Sequence, residues 1–174
     1  MRSYSQIAVL LITLLATLGV AHAQGSTPSL QGTYTVDSAA SEDVDKAIER
    51  AIARMNVVKR PIARGRLKKT NQPYQQVVIE QTSSEVTTTI DNRKPITTPL
   101  TGTPIQWTRE DGETFDVSTQ WDNGTLKQTF KAEDGQRVNS FTLSPDGSVL
   151  TLDVTVTSSK LSRPLLYKLV FRKT

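Results

Sequence analysis

The sequence contains no cysteine, and its single histidine, His22, falls within an N-terminal apolar leader. Downstream of that leader neither residue occurs. Their absence excludes Ser-His-Asp and Cys-His nucleophilic catalysis, histidine general-base chemistry and His/Cys metal sites. Carboxylate, lysine or tyrosine chemistry and an oxygen-ligand cation site are what remain. The carboxylates do not favour either one. Asp111, Asp122, Asp134 and Asp146 sit at turns, and Asp116 and Asp153 fall on polar strand faces. No turn gathers several carboxylates as a calcium loop does. We therefore expect no enzyme, no cofactor and no metal. Disulfides are also excluded, so stability must come from a packed core. The formal charge of +4 is too small to indicate nucleic acid.

Only one long hydrophobic run is present. Ile7 to Val20 is interrupted by Thr13, Thr17 and Gly19, is preceded by Arg2, and is followed by Ala21-His22-Ala23. This is the pattern of a signal peptide cleaved after Ala23, which directs the product to the periplasm or the extracellular space. No cysteine follows the run to carry a bacterial lipid anchor. The organisation read from the sequence is a signal peptide over 1–23, a flexible lead over 24–29 and a single domain over 30–174.

Within that domain the pattern is strand, helix, then many strands. Leu30 to Val36 reads as a first strand. Ser41 to Asn56 places Val44, Ala47, Ile48, Ala51, Ile52 and Met55 on one stripe, which predicts an amphipathic helix capped by Ser38 or Ser41. Lys59 to Lys69 carries Lys59, Arg60, Arg64, Arg66, Lys68 and Lys69 with no acid, and Pro61 can open a short second helix weakened by Gly65. The six bases form either a solvated surface that offsets acidic charge elsewhere, a patch for weak contact with an anionic membrane surface, or a mouth that attracts an anionic ligand. The patch has no interleaved aromatics, which argues against single-stranded nucleic acid. Beyond Pro73, alternating runs are separated by Asp111-Gly112, Asp122-Asn123-Gly124, Asp134-Gly135 and Pro145-Asp146-Gly147, strong hairpin signals. Val138, Phe141 and Leu143 break strict alternation, which predicts a bulge there. The segment 91–103 holds at most a short edge strand.

These features predict a mainly β fold. It is an antiparallel up-and-down β-barrel of about 8–10 strands, with one or two helices inserted after the first strand. The strand, helix-turn-helix, meander order resembles the calycins, the lipocalins and fatty-acid-binding proteins. Gly32-Thr33-Tyr34 is similar to their Gly-x-Trp, with Tyr34 replacing Trp. Leu166 to Arg172 resembles their closing strand. The likeness implies a secreted bacterial barrel that holds a small hydrophobic or amphipathic ligand. It does not supply the fatty-acid-binding Arg-x-Tyr anion grip, because Leu165 stands two residues before Tyr167.

Candidate ligand-facing residues are Trp107, Arg109, Phe115, Trp121, Gln128, Phe130, Leu152 and Tyr167, with Ile48, Ile52 and Met55 on a helical lid. Gln128 can orient a ligand. Arg109 offers a cation if it faces inward, although it lies beside a turn. The alternative is an envelope or extracellular interaction protein with a packed interior, acting through its outer surface or the 59–69 patch. Ligand identity and oligomeric state are open at this stage.

Overall fold

A computed structural model describes residues 29–174; the leader and its cleavage site lie outside them. Ten strands and two helices follow in the order β1 (Gly32–Val36), α1 (Val44–Ile52), α2 (Arg60–Thr70), β2 (Gln76–Gln81), β3 (Glu85–Ile90), β4 (Ile96–Pro99), β5 (Ile105–Thr108), β6 (Thr114–Asp122), β7 (Thr125–Ala132), β8 (Gly135–Leu143), β9 (Val149–Ser158) and β10 (Leu165–Lys173). All pairings are antiparallel in one sheet, ordered β4-β3-β2-β1-β10-β9-β8-β7-β6-β5. β1 joins the two halves by pairing with both β2 and β10.

The seam lies between β4 and β6. β5 pairs only with Thr114–Val117 of β6. The other half of β6 meets the chain after β4, through the Thr101–Gln120 bridge and the Gly102 amide donating to the Thr119 carbonyl at 3.0 Å. Inside, the Thr98 hydroxyl donates to Thr119 Oγ1 at 2.7 Å. The sheet therefore closes almost completely, which removes the exposed edges of a long meander.

Local chemistry explains most boundaries. Asp43, not Ser38 or Ser41, caps α1 by accepting from the Lys46 amide. Ser41 instead ties the helix entry to β10, accepting from the Val170 amide at 2.9 Å. Asn123 and Gly124 both take positive φ, 48° and 79°, as a two-residue hairpin turn requires.

The expected bulge in β8 is absent. The strand keeps unbroken register with β7 from Gly135 to Phe141 and with β9 from Gly135 to Leu143. Its inward side chains are Arg137, Asn139, Phe141 and Leu143, and Val138 faces out. Mixed parity arose because two inward positions are polar, not because the backbone is irregular.

Gly135 also departs from the simple turn reading. It lies in the strand, and a Cβ there would meet the Thr157 carbonyl at 2.2 Å. We expect Gly135→Ala to cost about 1–3 kcal/mol, because that neighbour is backbone and cannot move aside. Gly65 of α2 has open space around it. Gly65→Ala should gain about 0.5–1 kcal/mol through helix propensity. Urea midpoints of the two variants check both signs.

Candidate functional site

The interior is divided in two. One half is packed solid around Tyr34, Leu126, Phe141, Leu150, Leu152, Leu169 and Phe171, with Ile48 and Ile52 of α1. The other half is walled by a separate cluster of Ile96, Val117 and Phe130, with Ile105, Trp107 and Phe115 packed against it. Trp107, Phe115 and Phe130 stand mutually 6.3 Å apart by ring centroid.

A polar layer crosses the barrel near this division. Gln128 Nε2 on β7 donates to Thr88 Oγ1 on β3 at 2.7 Å, spanning the interior. Thr88, Thr98, Thr119, Gln128 and Asn139 are all at most 1% exposed. Thr98 with Thr119 and Gln128 with Thr88 satisfy one another in part, while Gln128 Oε1 and Asn139 Nδ2 are buried without a hydrogen-bond partner among the described residues.

Alongside this layer opens a cavity of about 750 Å³. Its walls include Met55, Ile62, Ala63 and Leu67 from the helical region, Ile90 and Ile96, and the Trp107–Phe115–Phe130 trio. That volume falls within the range of small-molecule sites.

The most informative charge in the cavity is Arg137. Its Nε donates to Asn139 Oδ1 at 2.8 Å, one terminal nitrogen to Asn71 Oδ1 at 2.9 Å and the other to the Tyr167 hydroxyl at 3.0 Å. Its guanidinium carbon lies 5.3 Å from the Tyr74 ring centroid. Among the described residues no carboxylate pairs with it. A partly buried cation held only by neutral groups is costly until an anion joins it. Burial pushes the Tyr167 phenol up to about 12, against the pull of Arg137, so it stands as a neutral hydroxyl that can donate.

The mouth is cationic as well. Lys59, Arg66, Arg93, Lys94, Arg109 and Lys160 line the cavity, against Glu113 and Asp134. Lys160 pairs with Asp134, and Arg109 with Glu113 and Asp111. The others have no ion-pair partner among the described residues.

The positions suggested by the sequence thus separate. Trp107, Phe115 and Phe130 line the cavity, as do Met55 and Arg109. Trp121 and Leu152 belong to the packed half. Gln128 is part of the polar layer, and Tyr167 reaches the site through Arg137. Arg109 is no free cation, being neutralised on its own hairpin and lying over the Phe115 ring at 5.2 Å.

The lid differs from expectation. Ile48 and Ile52 are fully buried in the packed core, and α2 with Met55 covers the cavity instead. α2 is bound to α1 by Arg64–Glu49 and Lys68–Asp45. Arg60 donates to the Ala53 and Met55 carbonyls at the end of α1. Three of the six bases in 59–69 are therefore engaged in holding the helices, leaving Lys59, Arg66 and Lys69.

Arg137, Asn139, Asn71, Tyr74 and Arg93 were not suggested by the sequence. A signal for the first two existed. Counting back from Phe141 in steps of two gives Asn139 and Arg137 on the inward face.

The Arg109 pair yields a direct check. Its hydrogen bond holds the Asp111 carboxyl down at about 2. A depressed carboxylate stabilises above its unfolded value of about 3.9 and loses that contribution as pH falls through the folded value. We expect an NMR midpoint near 2 for Asp111, rising toward the ordinary value in Arg109→Gln.

No protein-family model matches the sequence, and no curated protein does so. Solved structures do resemble it in three dimensions. A fatty acid transporter, REP1-NXSQ, superposes with a TM-score of 0.54 at 14% identity, covering 83% of this chain and 96% of its own. Fatty-acid-binding protein 1 of Echinococcus granulosus gives 0.51 at 14% identity, covering 83% and 96%. An abundant heat soluble protein of Ramazzottius varieornatus gives 0.59 at 11% identity, covering 83% and 94%. At such identities the likeness establishes the fold, and by its fold this chain is a calycin-like ten-stranded barrel.

Proposed function

We propose that the protein is an exported, non-enzymatic carrier that holds one small amphipathic anion inside its barrel. The observation that carries this is Arg137, a cation without a carboxylate partner placed in an otherwise apolar cavity. The acyl or ring portion of the ligand lies against Met55, Ile62, Trp107, Phe115 and Phe130. Its anionic head meets Arg137 and the Tyr167 hydroxyl. The titles of two structural neighbours name a fatty acid transporter and a fatty-acid-binding protein, which supports this class of ligand. The signal-peptide pattern ending at Ala23 supports export. The lack of histidine and cysteine downstream of the leader, and the ion pairing of Glu113 and Asp134 on the cavity wall, support a non-enzymatic role.

Purified protein should show a one-to-one adduct by native mass spectrometry that organic extraction removes. A long-chain carboxylate should then saturate it at one equivalent with a change in Trp107 fluorescence. No adduct, and no binding at up to about 100 μM carboxylate, rejects the carrier, since that corresponds to less than about 5.5 kcal/mol of affinity.

A second reading concerns the outer surface. Val57 and Val58, at the turn joining the helices, and Ile62 in the first turn of α2 are 76%, 78% and 60% exposed, near Lys59 and Arg66 in sequence. Apolar residues flanked by bases suit an anionic membrane surface. This contact would serve loading and release at the nearby cavity mouth. It no longer needs the packed interior assumed in the sequence-based alternative.

A further inference from the structure

Two arginines, not one, converge on Tyr74. The guanidinium carbon of Arg137 lies 5.3 Å from the ring centroid and that of Arg93 lies 5.5 Å from it. The two cations are therefore separated by no more than the sum of those distances. Arg93 sits between β3 and β4 and lines the same cavity. Its positive field also reaches the Tyr167 phenol, as does that of Arg137. Neither arginine has a carboxylate partner among the described residues. The two acids that line the cavity, Glu113 and Asp134, are taken by Arg109 and Lys160.

A single carboxylate neutralises one guanidinium and leaves the other uncompensated in a partly desolvated place. A phosphate monoester carries up to two charges and three acceptor oxygens, which suits two planar guanidinium forks. We propose that the ligand head group is a doubly charged phosphate monoester on an apolar chain, held jointly by Arg137 and Arg93. This rests on the carrier reading above and names the ligand class for it.

The test is titration of the purified protein with dodecyl phosphate, dodecyl sulfate and dodecanoate, read by tryptophan fluorescence and calorimetry. At about pH 8 the phosphate is dianionic, because its second pKa is about 6. It should then bind about tenfold or more tightly than either monoanion. At about pH 5 the preference over dodecyl sulfate should vanish, since the phosphate has become a monoanion. Dodecanoate serves as a control only at about pH 8, because its own carboxyl protonates near about pH 5. No histidine occurs downstream of the leader to titrate in that interval.

Arg93→Met should abolish the preference, bringing the affinity for dodecyl phosphate down to that for dodecanoate measured on the same variant, because one guanidinium, Arg137, is retained. Arg93 is partly exposed and makes no ion pair, so the variant is expected to fold. Arg93→Lys should restore part of the preference through charge alone. Inorganic phosphate in about thousandfold excess should not displace the alkyl phosphate, since it lacks the chain that fills the cavity.

Three outcomes overturn the proposal while leaving the carrier intact: dodecanoate binding as tightly as dodecyl phosphate, dodecyl sulfate matching the phosphate, or a preference that survives Arg93→Met. Displacement by inorganic phosphate alone overturns the lipid identity. Failure of all three amphiphiles to bind overturns the carrier reading, and this proposal with it.

Discussion

Arg137→Leu is expected to weaken binding of a long-chain carboxylate by about a hundredfold, with little change in the stability of the empty protein. Removing one partner of a desolvated charge pair costs about 2–5 kcal/mol of binding, largely because the other charge is left buried alone. The stability of the ligand-free protein follows a different balance. The leucine loses three hydrogen bonds, to Asn71, Asn139 and Tyr167, each worth about 1 kcal/mol net. It also removes a cation that nothing neutralises, an unfavourable burial of comparable size. A site whose charge awaits a ligand should therefore lose affinity without losing its fold. Calorimetric titration and a urea transition, run on the same variant, separate the two effects. Unchanged carboxylate affinity in a well-folded Arg137→Leu would remove the head-group assignment.

The largest stability effect is expected from Phe141→Ala, about 3–5 kcal/mol, as for other fully buried phenylalanines. Phe141 is 0% exposed, opposite Leu126 and Leu152 in the packed half of the barrel. Its removal leaves a void that neighbouring strands, fixed by paired hydrogen bonds on both sides, cannot close. Phe130 supplies the contrast. It lies two register steps away on β7 from the Leu126–Phe141 layer, beyond Gln128, and its ring borders the cavity. Truncating it enlarges a space already present, so Phe130→Ala should cost less, about 1–2 kcal/mol. Its main effect should fall on ligand affinity. Denaturant midpoints at constant slope report the difference. Equal costs for the two variants would mean that the interior is not divided as described.

This division shows where sequence pattern is informative and where it stops. Alternation in β6, β7, β9 and β10 identified Phe115, Phe130, Leu152 and Tyr167 as inward-facing, because side chains on a strand alternate strictly between two faces. Alternation cannot say how far up the barrel an inward residue lies. Leu152 and Trp121 belong to the packed half and Trp107 and Phe130 to the hollow one. That depends on which residues sit opposite across the interior, as Gln128 and Thr88 do despite being 40 positions apart.

The charged residues illustrate the same limit from the other side. The density of bases in 59–69 is plain in the sequence. Glu49 and Asp45, which engage Arg64 and Lys68, come from the preceding helix, and only the packing of α2 on α1 pairs them. In the sequence the pattern of β8 is broken by Val138, Phe141 and Leu143, and Arg137 does not stand out. It becomes the central cation of the site once unbroken register with β7 and β9 fixes its face.

Local sequence by itself determined the all-antiparallel meander, its tight turns, the amphipathic first helix and the absence of histidine and cysteine chemistry. These follow from short-range rules: the two-residue period of strands, the positive φ of Asn123 and Gly124, and the apolar stripe from Val44 to Ile52. Only the tertiary structure decided that the barrel closes between β4 and β6, that one half stays hollow, and that Arg137, Arg93, Tyr74 and Tyr167 meet there. Each of those depends on contacts between residues far apart in the chain, and closure of the sheet is what brings them within reach.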